Sequence, residues 1–263
     1  MKILVCIKQV PDRDARLVLD AAKKGIDETD LSWEVNESDR YAIETGLRIK
    51  ESLGEGEVVA CTLGKERARK ALSTALAMGC DRGIHLSDPD LRGGGPLSVA
   101  RALAAVAETG EFPLVLCGTR ADDEGYGQTP ILMAGLLDRP AVFLAMGLEL
   151  DGDRLKVLRE LEAGRQELST VPLPAVVAIQ SGIHEVRYTS LKGIMAAKRK
   201  PVDQPTPTEL GLTGSVIGGA GGRLEVLDLA LPEAGGQCEF IEGDAPAAAK
   251  LLVEKLRRDA KVL

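Results

Sequence analysis

Apolar residues cluster in short runs at 3–7, 57–62, 113–118 and 174–180, each bounded by turn-forming or charged positions, and 81–86 reads as a further short strand. Continuous short runs of this kind predict strands buried on both faces. Between them the spacing becomes helical. Asn36 reads as the N-cap of a helix over 37–52, with Ala42, Ile43 and Leu47 on one face and Gly54 as its stop. An alanine- and leucine-rich helix over 65–78 ends at Gly79, and Gly93-Gly94-Gly95-Pro96 opens another over 97–108. A fourth helix, over 128–137, follows an acidic and glycine-rich loop. Segments 141–150, 154–161 and 167–171 alternate in strand fashion around the turn at Asp151-Gly152. Pro11 and Asp12 are expected to close the first strand, and 15–31 reads as a hairpin or a meandering loop. Strands separated by helices of roughly 10–15 residues predict a doubly wound, mainly parallel α/β sheet covered on both faces.

Past Lys200 the pattern changes. Pro201, Pro205 and Pro207, then Gly211, Gly214, Gly218, Gly219, Gly221 and Gly222, form a stretch too irregular for a core. An amphipathic helix over 245–263 carries Ala249, Leu252, Val253 and Leu256. The organisation expected is an α/β domain over 1–200 and an arm with one helix over 201–263 that packs on a neighbour.

Composition narrows the function classes. Aromatic residues are only 3% of the 263, so aliphatic side chains and alanine must fill the core. A net charge of −7 argues against general nucleic-acid binding. No apolar run approaches the roughly 20 residues that cross a bilayer, so no membrane insertion is expected. The opening Met1–Lys8 segment is too short for a signal peptide and reads as a first strand. Five cysteines without CxxC spacing argue against a disulfide framework or zinc site, and for a reducing, cytoplasmic compartment. Cys6, Cys61 and Cys117 lie in or at the ends of apolar runs, as small hydrophobes do. No Walker-type phosphate loop occurs, and no G-x-G-x-x-G follows the first strand. His85 and His184 have no evident nucleophile partner and read as structural.

Two segments stand out. The loop from Gly118 to Pro130 follows a strand at a position where open α/β sheets bind ligands. Gly125 and Gly127 permit close backbone approach, and Gln128 with Thr129 starts a helix whose amides suit a phosphate. Asp122, Asp123 and Glu124 suit amide capping or ribose and base donors better than a phosphate. A merely capped βα loop is the alternative. The second segment is 181–200. Leu191, Ile194 and Met195 share one face of a short helix, with Lys198, Arg199 and Lys200 at its end where cations favour the helix dipole. It reads either as a contact surface or as an ordinary packed helix with a solvated basic end.

Taken together, the chain resembles the β subunits of electron-transfer flavoproteins over essentially its whole length. The resemblance rests on Ile3–Val10, Asn36-Glu37 ahead of Ile49-Lys50-Glu51, and Thr74–Gly79 with Asp81-Arg82-Gly83. It continues through Asp122-Asp123, Gln128-Thr129, Ala134-Gly135, Pro174–Val177, and Arg187-Tyr188 with Leu191. Residues 231–236 and Ile241-Glu242-Gly243 resemble the branch that serves dehydrogenases outside fatty-acid oxidation.

That resemblance implies an adenine-nucleotide α-hydrolase-like fold. By the same resemblance the protein would be a non-catalytic carrier subunit, paired with an α subunit that holds the redox-active FAD, and would itself hold a structural AMP. The AMP pocket would use Cys6, Asn36, Glu37, Ser38, Asp39, Leu63, Gly64 and Gly118. The rest would come from Asp122, Asp123, Glu124, Gly125, Tyr126, Gly127, Gln128 and Thr129, with Gln128, Thr129 and nearby amides on the phosphate. Arg13 and Ser38–Tyr41 would approach the α-subunit flavin. Arg187, Tyr188, Leu191, Ile194 and Met195 would dock a partner dehydrogenase, with a quinone oxidoreductase or another acceptor downstream. Gly125-Tyr126-Gly127 departs from the family's more acidic pattern. Two alternatives stay open: a bifurcating relative with a second, redox-active FAD in this pocket that oxidises NADH, against which Thr129 speaks, and a stand-alone adenine-nucleotide-binding regulator.

Overall fold

The computed structural model describes residues 1–232 and 238–263. Its chain runs β1 (Lys2–Cys6), β2 (Gln9–Pro11), β3 (Trp33–Val35), α1 (Glu37–Leu53), β4 (Glu57–Leu63), α2 (Arg69–Met78), β5 (Arg82–Leu86), α3 (Gly95–Thr109) and β6 (Leu114–Gly118). It continues with α4 (Thr129–Leu136), β7 (Ala141–Asp151), β8 (Arg154–Glu160), β9 (Gln166–Pro172), β10 (Ala175–Ile179), α5 (Leu191–Ala197), β11 (Val202–Asp203) and α6 (Ala245–Arg258). Nine strands form one sheet in the order β11-β5-β4-β1-β6-β10-β7-β8-β9. Pairing is parallel from β11 to β7 and antiparallel through β8 and β9. The doubly wound, mainly parallel α/β fold read from the apolar runs is therefore the fold observed.

Period-two alternation splits each central strand between two cores. Ile3 and Val5, Val58 and Ala60, Leu114 and Leu116 face one layer with Ile43 and Leu47 of α1 and Leu72 and Leu76 of α2. Leu4, Val59 and Val115 face the other with Leu103 and Val106 of α3 and Met133 of α4. Cys6, Cys61 and Cys117 line up in register across β4, β1 and β6, fully packed in that second core. Burial pushes the Cys61 thiol well up, as expected of a thiol serving as a small hydrophobe.

Several elements differ from expectation. The first strand does not end in a turn at Pro11-Asp12: β2 pairs antiparallel with β3, making a ribbon on which Arg67 lies 3.3 Å over the ring of Trp33. Residues 15–31, in contrast, are a loop as expected, closed by one antiparallel bridge, Leu19 to Ile26. The stretch after 200 is not wholly outside the core. Val202 and Asp203 add β11 to the sheet edge, and Leu210 and Ile217 are buried in the second core. Helix α6 has no buried residue, and Leu251, Leu252 and Val253 are exposed. Of the branch-like motif at 231–236, residues 233–236 lie outside the described residues.

The chain passes from β1 to β4 on one side and from β6 through α4 to β7, beyond β10, on the other. The carboxyl ends of β1 and β6 therefore meet at a topological switch point, where open α/β sheets form a crevice. Asp39, in the first turn of α1 and buried, fastens the two ends together. Its Oδ2 accepts the Lys8 N–H at 2.7 Å and its Oδ1 accepts the Gly118 N–H at 2.9 Å. Burial raises its pKa to about 7, opposed by the Lys8, Asn36 and Gly118 donors. Gly118 has no alternative residue: a Cβ there would collide with Ser38 Oγ and Asp39 Oδ1. Gly118→Ala is expected to destabilise the fold by about 1–3 kcal/mol through overpacking, read as a lowered denaturation midpoint with unchanged denaturant slope. Because the folded Asp39 pKa lies above its ordinary value, its contribution to stability is full below about pH 4. That contribution is lost as pH rises through about 7. Asp39→Asn should flatten the stability profile across pH 4–7 and leave one backbone N–H unpaired, at a cost of about 1–3 kcal/mol. Unfolding curves at several pH values check both effects.

Candidate functional site

The crevice is built from four separated segments. Cys6 ends β1, the 36–39 segment starts α1, Leu63 and Gly64 end β4, and Gly118 opens the loop to α4. Asn36 occupies the N-cap position of α1, as its residue type predicts, but its side chain does not cap the helix. Instead Nδ2 donates to Ser38 Oγ at 3.0 Å and to the Arg120 carbonyl at 2.9 Å, and Oδ1 accepts the Asp122 N–H at 2.8 Å. Ser38 Oγ donates to the same Arg120 carbonyl at 3.0 Å. The start of α1 is thereby stitched to the loop across the crevice.

The three acids of that loop are all engaged within the protein. Asp122 Oδ2 accepts the Glu37 N–H at 3.2 Å, taking the capping role that Asn36 leaves. Lys8 Nζ reaches Asp123 at 2.8 Å and Glu124 at 2.7 Å. Burial pulls the Lys8 ammonium down, but Asp123 and Glu124 outweigh it and hold its pKa above the ordinary lysine range. Sequence reasoning misses Lys8, because nothing marks the first polar residue after a buried strand as a partner for a loop 115 residues away.

Gly125 and Gly127 take positive φ, 68° and 61°, so the loop turns without side chains toward its own backbone. Tyr126 between them is 44% exposed. Gln128 precedes α4, and Thr129 and Pro130 form its first turn. The amides of a helix start have no intrahelical acceptor, so this end offers donors and the positive end of the dipole to an anion. At the end of β4, the Gly64 N–H donates to the Leu86 carbonyl at 3.1 Å and the Gly64 carbonyl meets His85 Nε2 at 3.2 Å. His85 is fully buried, in keeping with a structural role. Beside the start of α1, Glu37, Arg40, Tyr41, His184, Glu185 and Val186 line a separate cleft of about 270 Å³. Arg13 pairs with Glu37 at 3.0 Å on its margin.

The residues at 187–195 are not part of this crevice. They lie on α5, which packs against α2, and on the segment before it, which Arg187 ties to α1. Tyr188, Leu191, Ile194 and Met195 are exposed, while Ala197 is buried beneath them. The Arg187 guanidinium faces inward and is taken up by Glu44 and Glu51 of α1. The basic run also divides. Lys200 does not serve the end of its own helix, as the spacing suggested, but donates to the carbonyls of Leu76 and Cys80 at the end of α2. Among the described residues no helix is long and apolar enough to cross a membrane, and no group of three or more His, Cys, Asp or Glu could hold a metal ion.

Comparison with known proteins accords with this architecture. The family model described as the electron transfer flavoprotein domain matches residues 24–210. The electron transfer flavoprotein subunit beta of Bacillus subtilis is 34% identical over 264 residues, covering 100% of both chains. That of Homo sapiens is 37% identical over 214 residues, 81% of this chain and 84% of its own. That of Methylophilus methylotrophus is 32% identical over 256 residues, 96% of this chain and 97% of its own. A family model spanning 24–210 and relatives 32–37% identical over most of the chain place this chain in the electron transfer flavoprotein β-subunit family.

Proposed function

We propose that this protein is the β half of a heterodimeric electron carrier, which holds AMP in the β1/β6 crevice and supports an FAD housed mainly in an α subunit. It docks a flavin dehydrogenase through α5. The observation that carries the nucleotide assignment is the internal neutralisation of the 122–124 acids. With Asp122 on the Glu37 amide and Asp123 and Glu124 on Lys8, no free carboxylate of this trio opposes a phosphate at the start of α4. The Gly125–Gly127 turn supplies close backbone approach, and Asn36 and Ser38 hold the loop in place for the ligand. The donor set therefore fits an adenine mononucleotide, with Gln128, Thr129 and adjacent amides on its phosphate.

The FAD supplies the electron-carrying chemistry when bound; this chain's residues bind, orient and dock. Arg13, the 38–41 segment and the cleft beside α1 form the face turned to that flavin. The arm from 201 and α6, with exposed Leu251, Leu252 and Val253, pack on the α subunit. At α5 an apolar group of Tyr188, Leu191 and Met195 is flanked by Lys192, Lys198 and Arg199, which suits an acidic rim around an apolar pocket. Electrons would pass from the dehydrogenase to a quinone oxidoreductase or another acceptor, within a cytoplasmic compartment.

Three outcomes test the reading. Nucleotides released by denaturing the purified αβ complex should be one FAD and one AMP per heterodimer; two FAD would replace the AMP assignment with that of a bifurcating subunit. Lys8→Met should expose Asp123 and Glu124 to the phosphate and lower AMP retention about tenfold, the equivalent of about 1.4 kcal/mol, with FAD content unchanged. Leu191→Ala should remove about 2 kcal/mol of docking energy. It should thus weaken transfer from the dehydrogenase that reduces the complex by about 30-fold, with both nucleotides still bound.

A further inference from the structure

We infer that Lys200 and Arg187 are positioning residues, which together with Gly193 bolt α5 to the α1/α2 layer so that Leu191 is presented in one fixed orientation. The inference rests on the reading of α5 as the docking element.

Its starting point is a mismatch between exposure and fixation. Tyr188, Leu191 and Met195 are 95%, 83% and 62% exposed. The helix that carries Leu191 and Met195 has only seven residues, too few to be stable by itself. Yet it is held at both ends and in its middle.

Upstream, Arg187 Nε donates to Glu44 Oε2 at 2.7 Å, and its terminal nitrogens reach Glu51 at 2.7 and 3.1 Å and Glu44 Oε1 at 3.2 Å. The Arg187 N–H adds a bond to Glu44 Oε2 at 3.3 Å. Arg48 completes the set, reaching Glu44 Oε1 at 2.7 Å and the Glu185 carbonyl at 3.2 Å. Forked, charge-assisted contacts of this kind fix direction as well as distance. In the middle, Gly193 brings the α5 backbone so close to α2 that a Cβ would collide with the Ala77 carbonyl. Ser190 Oγ caps the helix through the Gly193 N–H at 3.0 Å.

Downstream, Lys200 Nζ donates to the Leu76 carbonyl at 3.0 Å and the Cys80 carbonyl at 2.6 Å. These lie at the C-terminal end of α2, where orphan acceptors and the helix dipole both favour a cation. Directly afterwards the Pro201 carbonyl accepts the Gly83 N–H at 2.9 Å, and β11 joins the sheet. Lys192, Lys198 and Arg199, in contrast, make no ion pair or side-chain hydrogen bond among the described residues. The basic cluster is thus split between two roles, with Lys200 fixing the helix and the other three left to meet a partner. An anchor already ordered in the free protein loses less conformational freedom on docking, so the mount acts on association rather than on the flavin.

The test uses the αβ holo-complex and the dehydrogenase purified from the source organism by its ability to reduce that complex, with rates followed against complex concentration. Lys200→Met should raise KM about tenfold with kcat and FAD content unchanged, and Lys200→Arg should restore it. Glu51→Gln removes part of the Arg187 grip without leaving buried Glu44 unpaired, and should raise KM by a smaller factor. In a Leu191→Ala background Lys200→Met should add nothing, because the anchor it positions is gone. If Leu191→Ala raises KM but Lys200→Met does not, the positioning role falls while the docking reading stands. An additive effect of the two, or a loss of FAD in step with KM, also overturns the positioning role. If Leu191→Ala leaves KM unchanged, the docking reading itself fails.

Discussion

A single buried carboxylate governs the geometry of the crevice between β1 and β6. Parallel strands whose connections diverge leave their carboxyl ends unjoined, and Asp39 spans that gap with one oxygen on each strand. It stands in the first turn of α1, so the same contact sets the height and angle at which the helix begins. From there Asn36 and Ser38 meet Arg120 and Asp122, and the loop that leads to α4 takes its shape. Keeping a carboxylate out of water is costly, and the two N–H donors offset that cost only in part, which is why its protonation falls near neutrality.

Helix α1 links two surfaces that are otherwise apart. Its first turn organises the crevice through Asp39, while Glu44 and Glu51, farther along, hold the segment that leads into α5. Glu44 is nearly inaccessible yet charged. Burial would raise its pKa, but Arg187 and Arg48 bring it below the ordinary range. One helix therefore carries the contacts that shape the crevice at its start and the carboxylates that hold the approach to α5 farther along.

Much of the fold was legible in the sequence because its signals are local. Buried parallel strands must be continuous apolar runs, and Gly54 and Gly79 stop helices by backbone geometry that their type permits. The loop from 118 to 130 was legible as a strand end, a glycine turn and a helix start, and it folds that way. What escaped the sequence is non-local or very short. The β2–β3 ribbon and β11 have three or fewer residues per strand, below the length at which periodicity speaks. Asn36 showed its helix-capping type but not that its side chain would turn to a loop 84 residues away. The tie from Lys200 to Leu76 spans 124 residues, and no spacing rule distinguishes it from Lys198 or Arg199 beside it.

The paucity of aromatic residues gives Trp33 a particular value. It is the sole tryptophan, and it sits on the β2–β3 ribbon beneath Arg67 rather than between the sheet and its helices. Gln9, at the start of that ribbon, exchanges hydrogen bonds with the same arginine, and Lys8 beside it latches the crevice loop. Indole emission from the native protein is therefore a local gauge of the strand ends around the crevice, and intrinsic fluorescence would register a rearrangement there while the aliphatic interior stays optically silent.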